Sequence, residues 1–349
     1  MNCCQETKTD LSGAVDNQGV SRRGLLRGAA GLAGAAVAGR AATGQAQQPI
    51  RLAFCSQLLC VVPYEVTRAQ RFFEEEGLNV ELVYTRGGNA AMQALVGGAV
   101  EYAATSFDVA VQAFANGAPI RRFATTGRLP LFALAAGPGQ AEAITSVEDL
   151  QGKTVGVSGL GNADHTLLLF LLAQAGADSS QVEFATLGPN LFDALRVGHV
   201  DAGMVQEPAL TLIVEAGGKV LFNAMNIEDA ERHLGGSYEF MGVAYRAAER
   251  EERLEEMRSL ARGLAAGLAF QRDAPVETLR GALPPELLVG GEGERFDEII
   301  LRYRESLYPE SVAIDMSSAE RVVNALRMSG VLEKDVDLTQ LMDTEVVPS

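Results

Sequence analysis

Five short stretches of the 349-residue chain gather side chains able to hold or transform a small molecule: Cys55 to Tyr64, Arg86 to Asn89, Thr105 to Asp108, Ser158 to His165 and Gln206 to Pro208. Hydroxyls, carboxamides, carboxylates, a guanidinium and an imidazole make a set suited to reversible hydrogen bonding. Arg86 stands before Gly87 and Gly88, which allow close backbone approach. Its guanidinium either grips a carboxylate or sulfonate through two parallel hydrogen bonds or faces solvent. Ser106 reads equally well as a ligand contact or a helix N-cap, and Asn162 or Asp164 as caps of the next helix. Glu207 precedes Pro208 at a helix start, where a carboxylate also suits the helix dipole. Cys55 and Cys60 form a disulfide if the intervening chain turns back to bring their Cα atoms within roughly 7 Å, and otherwise remain two partly buried thiols. No histidine or carboxylate spacing completes a metal site around them, so no metal and no cofactor is expected.

Positioning these stretches falls to alternating β-type and helical runs beyond residue 49, the pattern of an α/β fold with parallel strands. Ile50 to Phe54, Asn79 to Thr85 and Val100 to Thr105 read as strands, with Thr67 to Glu76 and Asn89 to Gly97 as helices and Leu131 to Ala136 as a further strand. A second set runs from Gly152 to Val205, with its helices at Asp164 to Gln174 and Leu191 to Val197. The motif Ala94-Leu95-x-x-Gly98-x-Val100-Glu101 recurs as Ala194-Leu195-x-x-Gly198-x-Val200-Asp201, and each copy follows a glycine-containing turn, which suggests two lobes built to one plan. The expected lobes are residues 50–136 with 238–349, and residues 137–237. All five polar stretches then leave the carboxyl ends of strands, where such sheets collect ligands and helix N-termini attract anions and polar oxygens. His199 falls at the opposite end and is set aside. Tyr238 to Tyr245 reads as a strand leading back to the first lobe. Helices follow, with Ser317-Ser318-Ala319-Glu320 as a capping box.

With 29 Lys plus Arg against 45 Asp plus Glu, the net charge is −16, a field that repels a nucleic acid. No apolar run reaches the roughly 17 to 25 residues of a membrane helix, so no membrane insertion is expected. The N-terminal sequence Ser21-Arg22-Arg23-Gly24-Leu25-Leu26-Arg27, an Ala/Gly stretch to Gly39 and the small-residue site Gly44-Gln45-Ala46 read as a twin-arginine export signal over residues 1–46. The chain is expected in the periplasm.

The residues Pro63-Tyr64 and Arg71-Phe72-Phe73-Glu74-Glu75-Glu76-Gly77-Leu78-Asn79-Val80-Glu81-Leu82-Val83, followed in order by Gly87-Gly88, Ala94-Leu95, Asp149-Leu150-Gln151-Gly152-Lys153-Thr154-Val155-Gly156-Val157, Leu187-Gly188, Val200-Asp201-Ala202 and Glu207-Pro208, resemble the solute-binding proteins of nitrate, sulfonate, taurine and thiamine-precursor ABC importers, the NitT/TauT or SsuA/THI5-like family. The resemblance covers residues 50–245. It implies a type II periplasmic binding fold: two α/β lobes joined by two crossing strands, closing on a small-molecule ligand and delivering it to a membrane permease, with the protein a monomer and without catalysis. Together with the cleft topology it selects Gln57, Tyr64, Arg86, Gly88, Ser106, Asn162, His165, Gln206 and Glu207 as ligand-binding candidates, with Ser106 and Glu207 in equivalent places of the two lobes. Two departures stand out: Arg71 replaces the family's usual glycine, and Gly159-Leu160-Gly161-Asn162-Ala163-Asp164 replaces a serine-rich turn. A zwitterion, a small anion and a neutral polar ring all remain open as solutes. Pyrimidine-precursor synthases and menaquinone-pathway enzymes resemble the same fold, and a ligand-sensing receptor partner would use the same closure.

Overall fold

Two five-stranded sheets organise residues 48–288 and 292–348, the part of the chain described by this computed structural model. The export segment expected over residues 1–46 lies outside the described residues. The described residues form one compact unit.

The first sheet contains β1 (Ile50–Cys55), β2 (Val80–Thr85), β3 (Tyr102–Ser106) and β4 (Ile120–Thr125), interleaved with α1 (Leu58–Ala69), α2 (Phe72–Glu75), α3 (Gly88–Val96) and α4 (Phe107–Ala115). The second is built from β5 (Ala133–Ala136), β6 (Thr154–Val157), α5 (Ala163–Gln174), β7 (Glu183–Thr186), α6 (Leu191–Arg196), β8 (Ala202–Val205), α7 (Ala209–Glu215), β9 (Lys219–Asn223) and α8 (Ile227–Leu234). The chain then returns through β10 (Met241–Arg246) and continues as α9 (Arg250–Asp273), α10 (Val276–Ala282), α11 (Glu292–Leu307), α12 (Met316–Met328) and α13 (Leu338–Leu341). Strand orders are β2-β1-β3-β10-β4 and β7-β6-β8-β5-β9. They match position for position, with β10 and β5 as the antiparallel members beside β3 and β8.

The sequence repeat is a structural repeat. Gly98 and Gly198 adopt φ of 76° and 78°, the left-handed turn that releases each helix into its strand. Two residues into each strand approach an acid does the same work: Glu101 accepts the Arg51 N–H at 2.8 Å, and Asp201 accepts the Thr154 N–H at 2.9 Å. Each pins the start of the neighbouring strand.

Two expectations about the path of the chain are corrected. Ala133–Ala136, read as the end of the first lobe, pairs with β8 and β9 in the second sheet. A short apolar run carries no mark of which sheet it joins, and here the chain has already crossed. The crossings themselves, residues 126–132 and 235–240, run between the sheets and hold each other through Tyr238 N–H to the Arg128 carbonyl (2.9 Å) and Phe240 N–H to the Gly127 carbonyl (3.1 Å). Finally, the stretch Cys55 to Tyr64 is no open loop: α1 begins at Leu58, because Leu58 to Val62 is an apolar run that burial rewards. Pro63 lies inside this helix and deprives the Leu59 carbonyl of its helical donor. The Tyr308 hydroxyl takes the vacant place at 3.0 Å.

Arg71 ends α1's run with φ 65°, a left-handed conformation that explains why glycine suits this position. The last long helix is capped by Asp315, whose carboxylate accepts the Ser317 N–H at 2.9 Å, rather than by Ser317 as the capping-box reading had it. Close packing of α9 on α1 depends on Gly267, since a Cβ there would sit 2.0 Å from the Thr67 hydroxyl. No helix of the described residues is long and apolar enough to cross a membrane.

Candidate functional site

The carboxyl ends of β1, β3 and β6 face a shared gap, and side chains from both lobes enclose a cavity there. Gln57, Gly88, Thr105 and Ser106 line it from the first lobe, Ser158, Asn162 and Asp164 from the second, and Phe132, Phe240 and Met241 from the crossings and the strand end they reach. Its volume open to the centre of a water molecule is about 40 Å³. An adjoining hollow of about 210 Å³ on the same measure shares Gln57, Phe132, Ser158 and Asp164, and adds Gln206 and Glu207.

Hydrogen bonds cross between the lobes at this place. Asn89 donates to the Asn162 carboxamide oxygen at 2.8 Å, Gln206 to the Gln57 carboxamide oxygen at 2.6 Å, and Gln112 to the Gly161 carbonyl at 3.2 Å. The two lobes are therefore in contact across the mouth of the cavity. Gly88 packs beside Val109 and Ser106, where a Cβ would make only ordinary contacts at 3.5 and 4.0 Å.

Each candidate can be placed. Ser106 is the N-cap residue of α4, yet its hydroxyl makes no capping bond and stays available to the cavity. The same holds for Asn162, the N-cap residue of α5; its amide instead donates to the Ser158 hydroxyl at 3.1 Å. Arg86 lines the cavity from an exposed position at the rim. Gln57 and Gln206 are the bridging pair. By the hundred-residue offset of the repeat it is Gln206, not Glu207, that corresponds to Ser106.

Three candidates turn elsewhere. Tyr64 is wholly buried, stacked 5.0 Å from Phe54, with its hydroxyl 2.7 Å from that of Thr126 at the first crossing. His165 accepts the Gly161 N–H at 3.2 Å and meets Phe184 edge-on, so it shapes the loop rather than the cavity; burial holds its pKa below the ordinary range. Glu207 spends its carboxylate on α7, accepting the Thr211 N–H at 3.0 Å and hydroxyl at 3.1 Å, with Arg302 at 3.8 Å. Its capping role follows from the missing donors' partners at a helix start.

Sequence reasoning missed Phe132, Phe240 and Met241, since nothing local marks an apolar residue as belonging to a crossing. It also missed the weight of two acids in the first turns of α4 and α5. Asp164 accepts from the Ser158 hydroxyl at 2.7 Å and from its N–H, and burial raises its pKa. Asp108 accepts from the Tyr238 hydroxyl at 3.1 Å while its other oxygen has no partner; burial pushes it up to about 6. The N-termini of α4 and α5 thus each carry a carboxylate of their own, whereas those of α1 and α3, also at the gap, carry none.

The NMT1/THI5-like family model matches residues 61–278. The chain belongs to that family. No curated protein matches it in sequence. Among solved structures, a Bordetella bronchiseptica RB50 protein is similar at 23% identity and a TM-score of 0.78, over 85% of this chain and 95% of that one. The periplasmic aliphatic sulphonate binding protein SsuA of Escherichia coli is similar at 18% identity and 0.61, over 84% and 91%. The periplasmic nitrate-binding protein NrtA of Synechocystis PCC 6803 follows at 12% and 0.65, over 85% and 86%. Like these, the family member described here has the periplasmic binding protein fold, and the matching strand orders of its lobes are the type II arrangement expected from the sequence.

Proposed function

We propose that this NMT1/THI5-like protein is the exported solute-binding component of an ABC importer, capturing a small polar solute between its lobes and handing it unchanged to a membrane permease. One observation carries the reading: hydrogen-bonding groups of both lobes, Gln57 and Ser106 on one side and Ser158 and Asn162 on the other, enclose a single cavity, and the lobes bond to each other at its edge. Closure of that kind desolvates a bound molecule and changes the face a permease meets. The twin-arginine sequence and the likeness to sulphonate- and nitrate-binding proteins support export to the periplasm.

Charge narrows the solute class. Asp164 lines the cavity, and Arg86, the cation at its wall, is exposed. With the N-termini of α4 and α5 both matched by internal carboxylates, a neutral or zwitterionic solute rich in N–H donors fits better than a compact inorganic anion. Gln57, Arg86, Gly88, Ser106 and Asn162 are its proposed contacts.

Mass spectrometry of the native protein purified from its own cells should reveal a small co-purifying molecule. Thermal denaturation against a panel of pyrimidines, amino acids, amino-sulfonates, alkanesulfonates and nitrate tests the class: a true solute at about a hundredfold over its Kd adds about 2.7 kcal/mol. No stabilisation by any member of the panel would overturn the binding reading. Formation of product from one of them would replace it with an enzyme.

A further inference from the structure

Two groups at the cavity have no part in the reading above. Cys55 ends β1 and Cys60 sits in the first turn of α1, and both thiols are free, buried and in the cavity wall. The turn between them folds back on itself, with the Gln57 carbonyl accepting the N–H groups of Cys60 at 2.9 Å and Val61 at 3.2 Å, so the chain presents the two sulfurs to one another rather than spreading them along a strand. The neighbouring thiol holds Cys55 below its ordinary range and, aided by burial, raises Cys60. Cys55 in turn donates to the Gln57 carboxamide oxygen at 3.8 Å, the same oxygen that receives Gln206 from the opposite lobe.

We infer that Cys55 and Cys60 form a site of reversible thiol–disulfide modification in the cavity wall, whose oxidation loosens the contact between the lobes. This rests on the closure proposed above. The oxidant is a low-molecular-weight disulfide, admitted when the lobes part. The Cys55 thiolate attacks one of its sulfurs, forming a mixed disulfide and expelling one thiolate. Cys60 then gives up its proton and attacks the Cys55 sulfur, expelling the second. Two protein thiols and one disulfide become one protein disulfide and two small thiols, with two electrons passing to the oxidant. The S–S bond of about 2.05 Å is shorter than any non-bonded approach of two sulfurs, so α1's first turn is drawn toward β1. Gln57 is drawn with it, away from Gln206.

Treatment of the native protein with oxidised glutathione should lower its mass by 2 Da, with residues 55–60 recovered as one cross-linked peptide and reversal by dithiothreitol. Hydrogen–deuterium exchange of the oxidised form should then quicken at least threefold in residues 158–162 and 206–210, without change in the α9 region. Cys55→Ser should abolish both effects, and Cys60→Ser provides the same control should the first fold poorly. No mass loss, or only mixed glutathione adducts, overturns the disulfide. A disulfide with unaltered exchange overturns its coupling to the lobes. Both readouts proceed without any solute, so failure of the solute panel is a separate result.

Discussion

Where β1 leaves the first sheet the chain passes through two residues into α1, and it offers the cavity Cys55, Gln57 and Cys60. Where β6 leaves the second sheet, the longer loop Ser158 to Asn162 intervenes, and it offers Ser158, Asn162 and Asp164. The strand order around these two exits is the same. Repetition of the scaffold therefore fixes where a ligand is met, while loop length and the first helical turn decide what it meets. The halves differ in support as well. The edge strand β4 is buried almost throughout, whereas its counterpart β9 keeps an exposed position; in the first lobe the C-terminal helix α13 packs on β4, and α9 and α10 pack on α1. One half is a braced platform, and the other is held by two crossings and by contacts from α11 and α12.

The platform's anchor is Arg122 on β4. Its side chain is fully buried, and it donates to Glu239 at 2.8 Å, to the Phe240 carbonyl at 2.8 Å and to the Thr105 carbonyl at 3.1 Å. Burial opposes both charges, lowering the pKa of Arg122 and raising that of Glu239. Glu239 and Phe240 lie on the second crossing, so this cation ties the platform to the hinge. Gly242 must lack a side chain beside it, since a Cβ would fall 2.4 Å from the guanidinium. The comparison breaks hardest here: Arg122→Met should cost about 3–5 kcal/mol, because it strands a buried carboxylate and two carbonyls. Urea unfolding measures this, and adding Glu239→Gln should recover part of the loss. A cost below about 1 kcal/mol would deny the pair its anchoring role.

Much of this was legible in sequence, and the limits are instructive. The repeated Gly98 and Gly198 and the paired acids Glu101 and Asp201 disclosed two similar halves, because turns and strand starts are local chemistry. The placement of Ala133–Ala136 was hidden, since partner strands are chosen by the path of the whole chain. Side-chain direction was hidden too. Glu207 caps α7 and Asn162 does not cap α5, although the local sequence permits either; the deciding neighbours, Thr211 and Asn89, lie four and seventy-three residues away.

Asp108 and Asp164 are the first-turn acids of α4 and α5, and only Asp108 has an oxygen without a partner. Its carboxyl is pushed up to about 6 by burial, so the folded state favours the protonated form. The stabilising contribution of that proton is complete below about pH 4, the range of an unfolded aspartate, and is lost as pH rises through 6. Asp108→Asn keeps an acceptor for Tyr238 without the charge. It should raise stability at pH 7 by about 2–3 kcal/mol and flatten the stability profile between pH 4 and 6. Thermal melts across pH 4–8 compare the two proteins; parallel profiles would show that Asp108 ionises freely in the fold.

The inter-lobe bonds form a gentler test. Asn162→Ala removes the acceptor for Asn89 and the donor to Ser158, both at the cavity edge. Loss of about 1–2 kcal/mol of binding free energy is expected, roughly tenfold in the Kd of the co-purifying solute by calorimetry. Thermal stability of the solute-free protein should change little. A large fall in stability with unchanged Kd would make Asn162 a structural residue of the loop alone.

The finest distinction lies in the repeated acids themselves. Glu101 accepts the Arg51 backbone and also the Arg51 guanidinium, at 2.8 Å from one of its nitrogens, whereas Asp201 accepts only the Thr154 N–H among the described contacts. The guanidinium is substantially exposed, so water and salt screen most of its attraction. Truncation to alanine should therefore cost nearly the same in both lobes, about 1 kcal/mol for the lost backbone bond, with Glu101→Ala exceeding Asp201→Ala only slightly. The excess should vanish in 1 M salt while the shared cost persists. Denaturant titration of the two variants at low and high salt separates the parts: an equal shared cost marks the acid as part of the repeated scaffold, and a Glu101 penalty that disappears entirely with salt would show that its ion pair, rather than its bond to the strand, had been holding β1.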